Sequence, residues 1–190
     1  AITRIFRQVP VATELNRGAL NDPRVTVENA DAFRYLAEVQ TSFDLAVVDF
    51  PDPSNYALGK LYTLTFYRRL RERLNPRGVV VVQSTSPYYA RRSYWSIAAT
   101  LEAAEFKVLP FHLYVPSFGE WGFVIGGGSG VEAPTDLRLP ETELVFLRPA
   151  LLPSLFTFTP DTERVDAPIN RLNDQALVSI YTREWETWSR

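Results

Sequence analysis

The sequence predicts an α/β fold, a sheet of buried strands with crossover helices that finishes in an antiparallel strand pair. Three observations carry this. Two compact apolar runs, Phe43–Val48 and Val79–Val82, have the length and content of strands covered on both faces, as in parallel sheets. An amphipathic segment from Leu61 to Leu74 stands between them and supplies the crossover. Two further strand-like segments, Lys107–Val115 and Trp121–Ile125, are joined by Pro116–Glu120 and form the antiparallel pair.

In chain order, Ile2 to Leu15 has helical apolar spacing (Ile2, Ile5, Phe6, Val9), with Pro10 as a break. Asn21-Asp22-Pro23 signals a turn. Arg24 to Glu28 alternates and is rich in valine, which predicts a short strand, and Asp31 to Val39 a short helix. A loop of proline, serine and asparagine runs from Asp49 to Gly59 after the first apolar strand. The helix over 61–74 puts Leu61, Leu64, Tyr67, Leu70 and Leu74 on one stripe, and Asn75-Pro76-Arg77-Gly78 stops it. The second apolar strand ends at Gln83, and Arg92 to Ala104 reads as another helix. Gly126-Gly127-Gly128-Ser129-Gly130 opens a linker that reaches about Thr142. It is no phosphate loop, because Val131-Glu132-Ala133-Pro134 starts no helix and no Lys-Ser/Thr follows. A strand-like piece (Glu143–Leu147), an apolar helix (Pro149–Phe158) and a polar-aromatic end complete the chain. The domain reading is 1–128 for the α/β domain, 129–142 for the linker and 143–190 for a C-terminal appendage.

Composition limits the chemistry. The 190 residues are 46% hydrophobic and 22% charged, an ordinary globular balance, with net charge −2. No basic field is present to condense on phosphates, so nucleic acid is not an expected partner. The absence of cysteine excludes disulfides, thiolate metal sites and a thiol nucleophile, and His112, the one histidine, builds no histidine metal site alone. No metal is expected.

In open α/β sheets ligands bind outside the carboxyl ends of the strands. Asp49 and Gln83 both stand at such ends. Asp52 follows Asp49 in the segment Asp49-Phe50-Pro51-Asp52-Pro53, whose prolines restrict the backbone and aim both carboxylates. Two carboxylates in a partly dry cleft can hold an ammonium group and take a proton from an amine. The plainer reading has Asp49 capping a turn and Asp52 forming an Asx-turn before Pro53. Asp31 starts a helix, as an N-cap or as a carboxylate facing a ligand amine. Gln83 can bind an amine or simply close the strand end. Tyr56, Phe118 and Trp121 are candidates to wall a cleft for an alkyl-ammonium chain, since ring faces favour cations. Tyr62 and Tyr67 read as core. Ser84-Thr85-Ser86 has no histidine nearby in sequence, which leaves little for a serine nucleophile.

The stretch from Asp22 to Gly126 resembles the spermidine synthase (polyamine aminopropyltransferase) family. The resemblance runs through Asp22-Pro23-Arg24-Val25, Asn29-Ala30-Asp31-Ala32-Phe33, Phe43 to Pro53, Leu61-Tyr62, Phe66-Tyr67, Leu74 to Gly78, Val82-Gln83-Ser84 and Tyr114 to Phe123. The tail, with Asn170 to Gln175 and Tyr181 to Trp185, is similar to a subgroup in which the domain follows an N-terminal membrane-embedded segment. The resemblance implies a Rossmann-like sheet of S-adenosylmethionine-dependent transferases, N-terminally incomplete here. It implies transfer of an aminopropyl group from decarboxylated S-adenosylmethionine, as co-substrate and with no permanently bound cofactor, to a polyamine such as putrescine. By position, Asp49 matches the family's catalytic acidic residue, Asp52 the amine-holding residue, Asp31 and Ala32 the adenine contacts, Gln83 a glutamine near the amine channel, and Trp121 the substrate-side segment. It further implies polyamine and nucleoside partners, a homo-oligomer, and a cytoplasmic location, or the cytoplasmic face of the inner membrane where a membrane segment precedes the domain.

Three positions depart from the family pattern. Phe50 stands where a small hydroxyl residue is usual, Ser84-Thr85 where Gly-Glu is usual, and Phe118 where a tyrosine is usual. The donor-cradling glycine-rich turn and the ribose-binding acid are expected to precede Ala1, so this length alone is expected to be inactive. Two other functions share the architecture: a methyltransferase, disfavoured by the paired carboxylates, and a non-catalytic domain, favoured by Phe50 and Phe118.

Overall fold

The computed structural model describes residues 2–136, 144 and 146–188, and these fall into two compact units, 1–35 and 36–190. The first unit holds α1 (Ile2–Gln8), α2 (Pro10–Leu15) and a 3-10 turn over Ala19–Asn21. Pro10 is the first residue of α2, so the expected break separates two helices. Gly18 at φ 69° turns the chain after α2, a left-handed conformation that glycine adopts without strain. Asn16 Nδ2 donates to the Phe6 carbonyl at 3.0 Å and Arg7 Nε to the Leu20 carbonyl at 3.0 Å, which ties the helices to the turn. The strand expected over Arg24–Glu28 does not form; the segment carries no strand pairing. A strand exists only where a neighbour takes up its backbone groups, and valine content supplies no neighbour. Asp22 instead engages Arg24, accepting from its Nε at 2.9 Å and its Nη2 at 2.8 Å. The helix α3 (Ala32–Glu38) then carries the chain across the division.

The second unit is built on a four-stranded sheet in the order β1-β2-β4-β3, with β1 (Phe43–Val48), β2 (Leu74–Gln83), β3 (Lys107–Val115) and β4 (Gly119–Gly127). The pair β1–β2 is parallel and the pairs β2–β4 and β3–β4 are antiparallel, as the apolar runs and the short final connection predict. Between β1 and β2 lie α4 (Tyr56–Gly59), a 3-10 turn (Lys60–Tyr62) and α5 (Leu64–Glu72). The predicted single helix from Leu61 is divided because Thr63 caps α5, its hydroxyl accepting from Phe66 N at 3.3 Å. The segment 75–78 is not a free turn: β2 begins at Leu74, with a register shift opposite Phe43 to Leu45. The helix α6 (Arg91–Ala103) separates β2 from β3.

One face of the sheet is the core. Val80, Val82 and Val124 are fully buried there, as are Tyr67, Tyr94, Ile97 and Leu101 on α5 and α6. Each such side chain contributes about 1.5–3 kcal/mol over exposure. The other face is open toward β1, where Leu45 is 59% and Val47 69% exposed. The expectation that β1 is covered on both faces therefore fails. Its apolar run reflects burial on one face only, and β1 is a sheet edge.

The last segment packs back on this unit. The apolar helix expected over 149–158 is replaced by a 3-10 turn (Pro149–Leu151) and the short α7 (Leu152–Leu155), divided where Pro153, in the first turn of α7, has no N–H to donate back to Pro149. The chain then follows β3, with Phe156 against Phe111 and Phe158 against His112, and ends in α8 (Ala176–Trp188), packed on α6 and α4. Most of the expected linker over 129–142 is described only to Asp136, and the strand expected over Glu143–Leu147 falls partly outside the described residues. Among the described residues no helix is long and apolar enough to cross a membrane.

Candidate active site

Strand register brings the site together. Val47 pairs with Val81 and Val48 with Val82, so Asp49 and Gln83 leave the sheet side by side at the carboxyl ends of β1 and β2. Gln83 is also paired with Phe123 on β4. A cavity of about 450 Å³ opens there, and Asp49 and Gln83 are its polar residues. Val47, Val81 and Phe123 form its floor, and Val115, Phe118 and Trp121 its wall. Phe118 and Trp121 lie 5.2 Å apart between ring centres on the β3–β4 hairpin. The volume suits a small ligand with an apolar chain and few polar anchors.

The two carboxylates have different surroundings. Asp49 is exposed, and its side chain has no hydrogen bond within the described residues. Asp52 is half-buried and accepts three. Gln83 Nε2 donates to Oδ1 at 3.0 Å, Thr85 Oγ1 to Oδ2 at 3.1 Å, and the Tyr181 hydroxyl to Oδ2 at 2.8 Å. Neither carboxylate performs the plain capping role, which passes to Asn55, whose Oδ1 accepts from Leu58 N.

The shell around Asp52 is itself fixed. The Tyr62 hydroxyl lies 3.2 Å from Gln83 Oε1 and 3.1 Å from the carbonyls of Phe50 and Pro51. Donation to Oε1 orients the Gln83 amide so that its nitrogen faces Asp52. Burial, and then the charges of Asp52 and Asp49, push the Tyr62 phenol far above its ordinary range, so it stays a donor. Burial first and the Asp52 charge second do the same to Tyr181. Thr85 is fully buried at φ 61°, a strained conformation for a β-branched residue. The Gly122 N–H bonds the Thr85 carbonyl at 2.7 Å, and a Cβ at Gly122 would sit 2.4 Å from the Tyr94 ring. Glycine at 122 is thus what lets β4 approach and hold Thr85. Phe50 turns away from the cavity and packs edge-on against Phe66 at 5.7 Å and Tyr62 at 6.4 Å, an anchor for the loop.

Of the candidates, Asp49, Gln83, Phe118 and Trp121 share the cavity, and Asp52 joins them through Gln83. Tyr56 does not. It is 68% exposed and lines a separate hollow with Asn55, Val178 and Thr182, because the Asn55 cap starts α4 with Tyr56 facing outward. Asp31 takes the capping role in its own unit, its Oδ1 accepting from Arg34 N at 3.1 Å, and Ala32 is the first residue of α3. Sequence reasoning missed three participants. Tyr62 passes for core, Thr85 reads as a weak nucleophile or a departure from the family pattern, and Tyr181 lies 129 residues from Asp52. The signal for Tyr181 was available in the helical spacing of Leu177, Val178, Tyr181, Trp185 and Trp188. Among the described residues no cluster of acidic and histidine side chains is arranged to hold a metal ion.

Comparison with known proteins places this architecture. A polyamine aminopropyltransferase of Leptospira interrogans is 47% identical over 185 residues, 97% of this chain and 36% of the relative. Polyamine aminopropyltransferase 2 of Ralstonia nicotianae is 45% identical over 186 residues, 97% of this chain and 36% of the relative. The chain thus spans about a third of the length of these relatives. A crystal structure of spermidine synthase from Thermotoga maritima superposes with a TM-score of 0.66 at 18% identity, covering 82% of this chain and 53% of that one. A spermidine synthase in complex with the transition state analogue AdoDATO superposes with a TM-score of 0.64 at 19% identity, covering 80% and 56%. Both share the Rossmann-like fold. The model of the spermine/spermidine synthase domain matches residues 4–135, more than half of the chain, and the chain belongs to that family.

Proposed function

We propose that this chain carries the amine-binding and proton-accepting part of a polyamine aminopropyltransferase site. The observation that carries the reading is an unpaired carboxylate, Asp49, at the mouth of an apolar cavity beside a second carboxylate held by neutral donors. The names of the relatives and the AdoDATO complex of a structural neighbour support the same chemistry. The donor is decarboxylated S-adenosylmethionine, a sulfonium whose leaving group departs neutral. The amine nitrogen must be unprotonated to attack, so a base matters more than a metal. The nitrogen lone pair bonds to the propyl carbon next to sulfur. The carbon–sulfur bond breaks with its electrons going to sulfur, giving methylthioadenosine, and Asp49 takes the nitrogen's proton. Asp52 and Gln83 hold the amine, and the rings of Phe118 and Trp121 flank its chain. Positioning supplies much of the remaining rate.

The test uses the full natural chain, incubated with decarboxylated or ordinary S-adenosylmethionine and putrescine, spermidine or cadaverine, with the nucleoside product identified by mass. Methylthioadenosine is the expected product. S-adenosylhomocysteine would make the protein a methyltransferase, and no nucleoside product would make the domain non-catalytic.

A further inference from the structure

The residue that completes the Asp52 shell comes from outside the matched family domain. That domain covers residues 4–135, whereas Tyr181 lies on α8. Its hydroxyl donates to Asp52 Oδ2 at 2.8 Å, the shortest of the three bonds Asp52 accepts. We propose that α8 is a structural part of the amine site and that Tyr181 is a positioning residue, setting the Asp52 carboxylate for the acceptor's ammonium group. The inference rests on the aminopropyltransferase reading and assigns to it the binding of the acceptor.

Three features support it. The first is anchoring. Glu184 on α8 accepts from Arg92 N at 2.7 Å, Ser93 N at 3.0 Å and Ser93 Oγ at 2.6 Å, closing the N-terminal end of α6. Trp188 Nε1 donates to the Tyr89 carbonyl at 3.0 Å, and Trp185 stacks on Tyr89 at 5.8 Å. At the other end, buried Asn170 receives the Leu177 N–H on its Oδ1 and donates to the Gly59 carbonyl. Tyr181 is therefore delivered by an element fixed on both sides, which is what precise positioning of a site requires.

The second feature is charge. All three donors to Asp52 are neutral, so the carboxylate is oriented without its charge being cancelled. An arginine in the place of Tyr181 would compete with a cationic ligand; a phenol does not. The phenol also remains protonated, because burial and the Asp52 charge both oppose its ionisation.

The third feature is valence. A carboxylate offers about four lone-pair positions. Thr85 and Tyr181 occupy Oδ2 and Gln83 takes one position on Oδ1, which leaves an acceptor position on Oδ1. Oδ1 is the oxygen bonded to Gln83, the residue Asp52 shares the cavity through. Tyr181 thereby fixes which oxygen is free.

The test is Tyr181→Phe in the full natural chain, which keeps the ring against Trp185 and removes the hydroxyl. The expected result is a KM for the acceptor amine raised about tenfold or more, the scale of one hydrogen bond to a charged group. The KM for decarboxylated S-adenosylmethionine and kcat are expected to hold. In an Asp52→Asn background the same substitution should no longer raise the amine KM, because the carboxylate it sets for the ammonium group is gone. A structural role would act equally in both backgrounds, so an equal effect overturns the proposal. So does a Tyr181→Phe enzyme with an unchanged amine KM while the wild type turns over. A wild type that forms no methylthioadenosine overturns the aminopropyltransferase reading itself, and the proposal with it, by a different signature.

Discussion

Asp49 and Asp52 are three residues apart in one loop and are held in opposite ways. Asp49 continues the direction of β1 into the cavity mouth with no hydrogen bond from the described residues, whereas Asp52 is turned toward Gln83, Thr85 and Tyr181 and held by all three. A base needs a free lone pair and access to solvent; a binding carboxylate needs a fixed direction. The geometry gives each property to a different residue. Pro51 and Pro53 keep the two from exchanging roles, since the loop cannot rotate freely at either.

This contrast makes the same substitution behave differently at the two sites. Asp49→Asn removes the proton acceptor and is expected to lower kcat by about 10²–10⁴-fold, the usual contribution of a general base. It disturbs no hydrogen bond, so the unfolding temperature should be unchanged. Steady-state rates and a thermal melt on the same sample check both halves, and wild-type turnover in this variant would remove Asp49 from the chemistry.

Asp52→Asn should show the reverse balance. An amide has one acceptor oxygen where the carboxylate has two, so a buried donor among Gln83, Thr85 and Tyr181 loses its partner. Leaving such a donor unsatisfied costs about 1–3 kcal/mol. The expected outcome is a measurable stability loss in denaturant titration together with a raised amine KM, and a smaller fall in kcat than Asp49→Asn produces. Equal stability of the two variants would show that the Asp52 shell is not held as described.

The difference between these residues also marks how far the sequence could be read. The apolar runs ending at Asp49 and Gln83 are local signals, and local signals with the sheet rule locate the cavity mouth. Phe118 and Trp121 are legible as aromatics able to wall a cleft for an alkyl-ammonium chain. The state of each carboxylate was not legible, because it is decided by partners far along the chain: Gln83 and Thr85 by 31 and 33 residues, Tyr181 by 129. The left-handed backbone of Thr85 leaves no trace in residue type, since threonine rarely adopts it, and Gly122 is explained only once Tyr94 is seen beside it. Arg24–Glu28 failed for a related reason. Strand propensity is local, but a strand is a pairing, and no strand of the described sheet pairs with it.

The finest separation of the two carboxylates lies in the tyrosines that sense them. Tyr181 is held above its ordinary range by burial and then by Asp52; Tyr62 by burial, then Asp52, then Asp49. A phenol whose folded value is raised binds its proton more tightly in the folded state. Its contribution to stability is therefore fully present below the unfolded value, about pH 10, and is lost as pH rises above it. Unfolding free energy is expected to be insensitive to these two groups near neutrality and to fall above about pH 10, with tyrosinate absorbance from them appearing along with unfolding. Asp52→Asn starts from a lower stability, because it leaves a buried donor without a partner, so a smaller alkaline loss unfolds it and its onset should move to lower pH. Asp49→Asn breaks no hydrogen bond of the described residues, so its onset should move less. Spectrophotometric titration of the wild type and both variants orders the three onsets. A larger shift in Asp49→Asn than in Asp52→Asn would mean that Asp49, not Asp52, is the carboxylate the shell encloses.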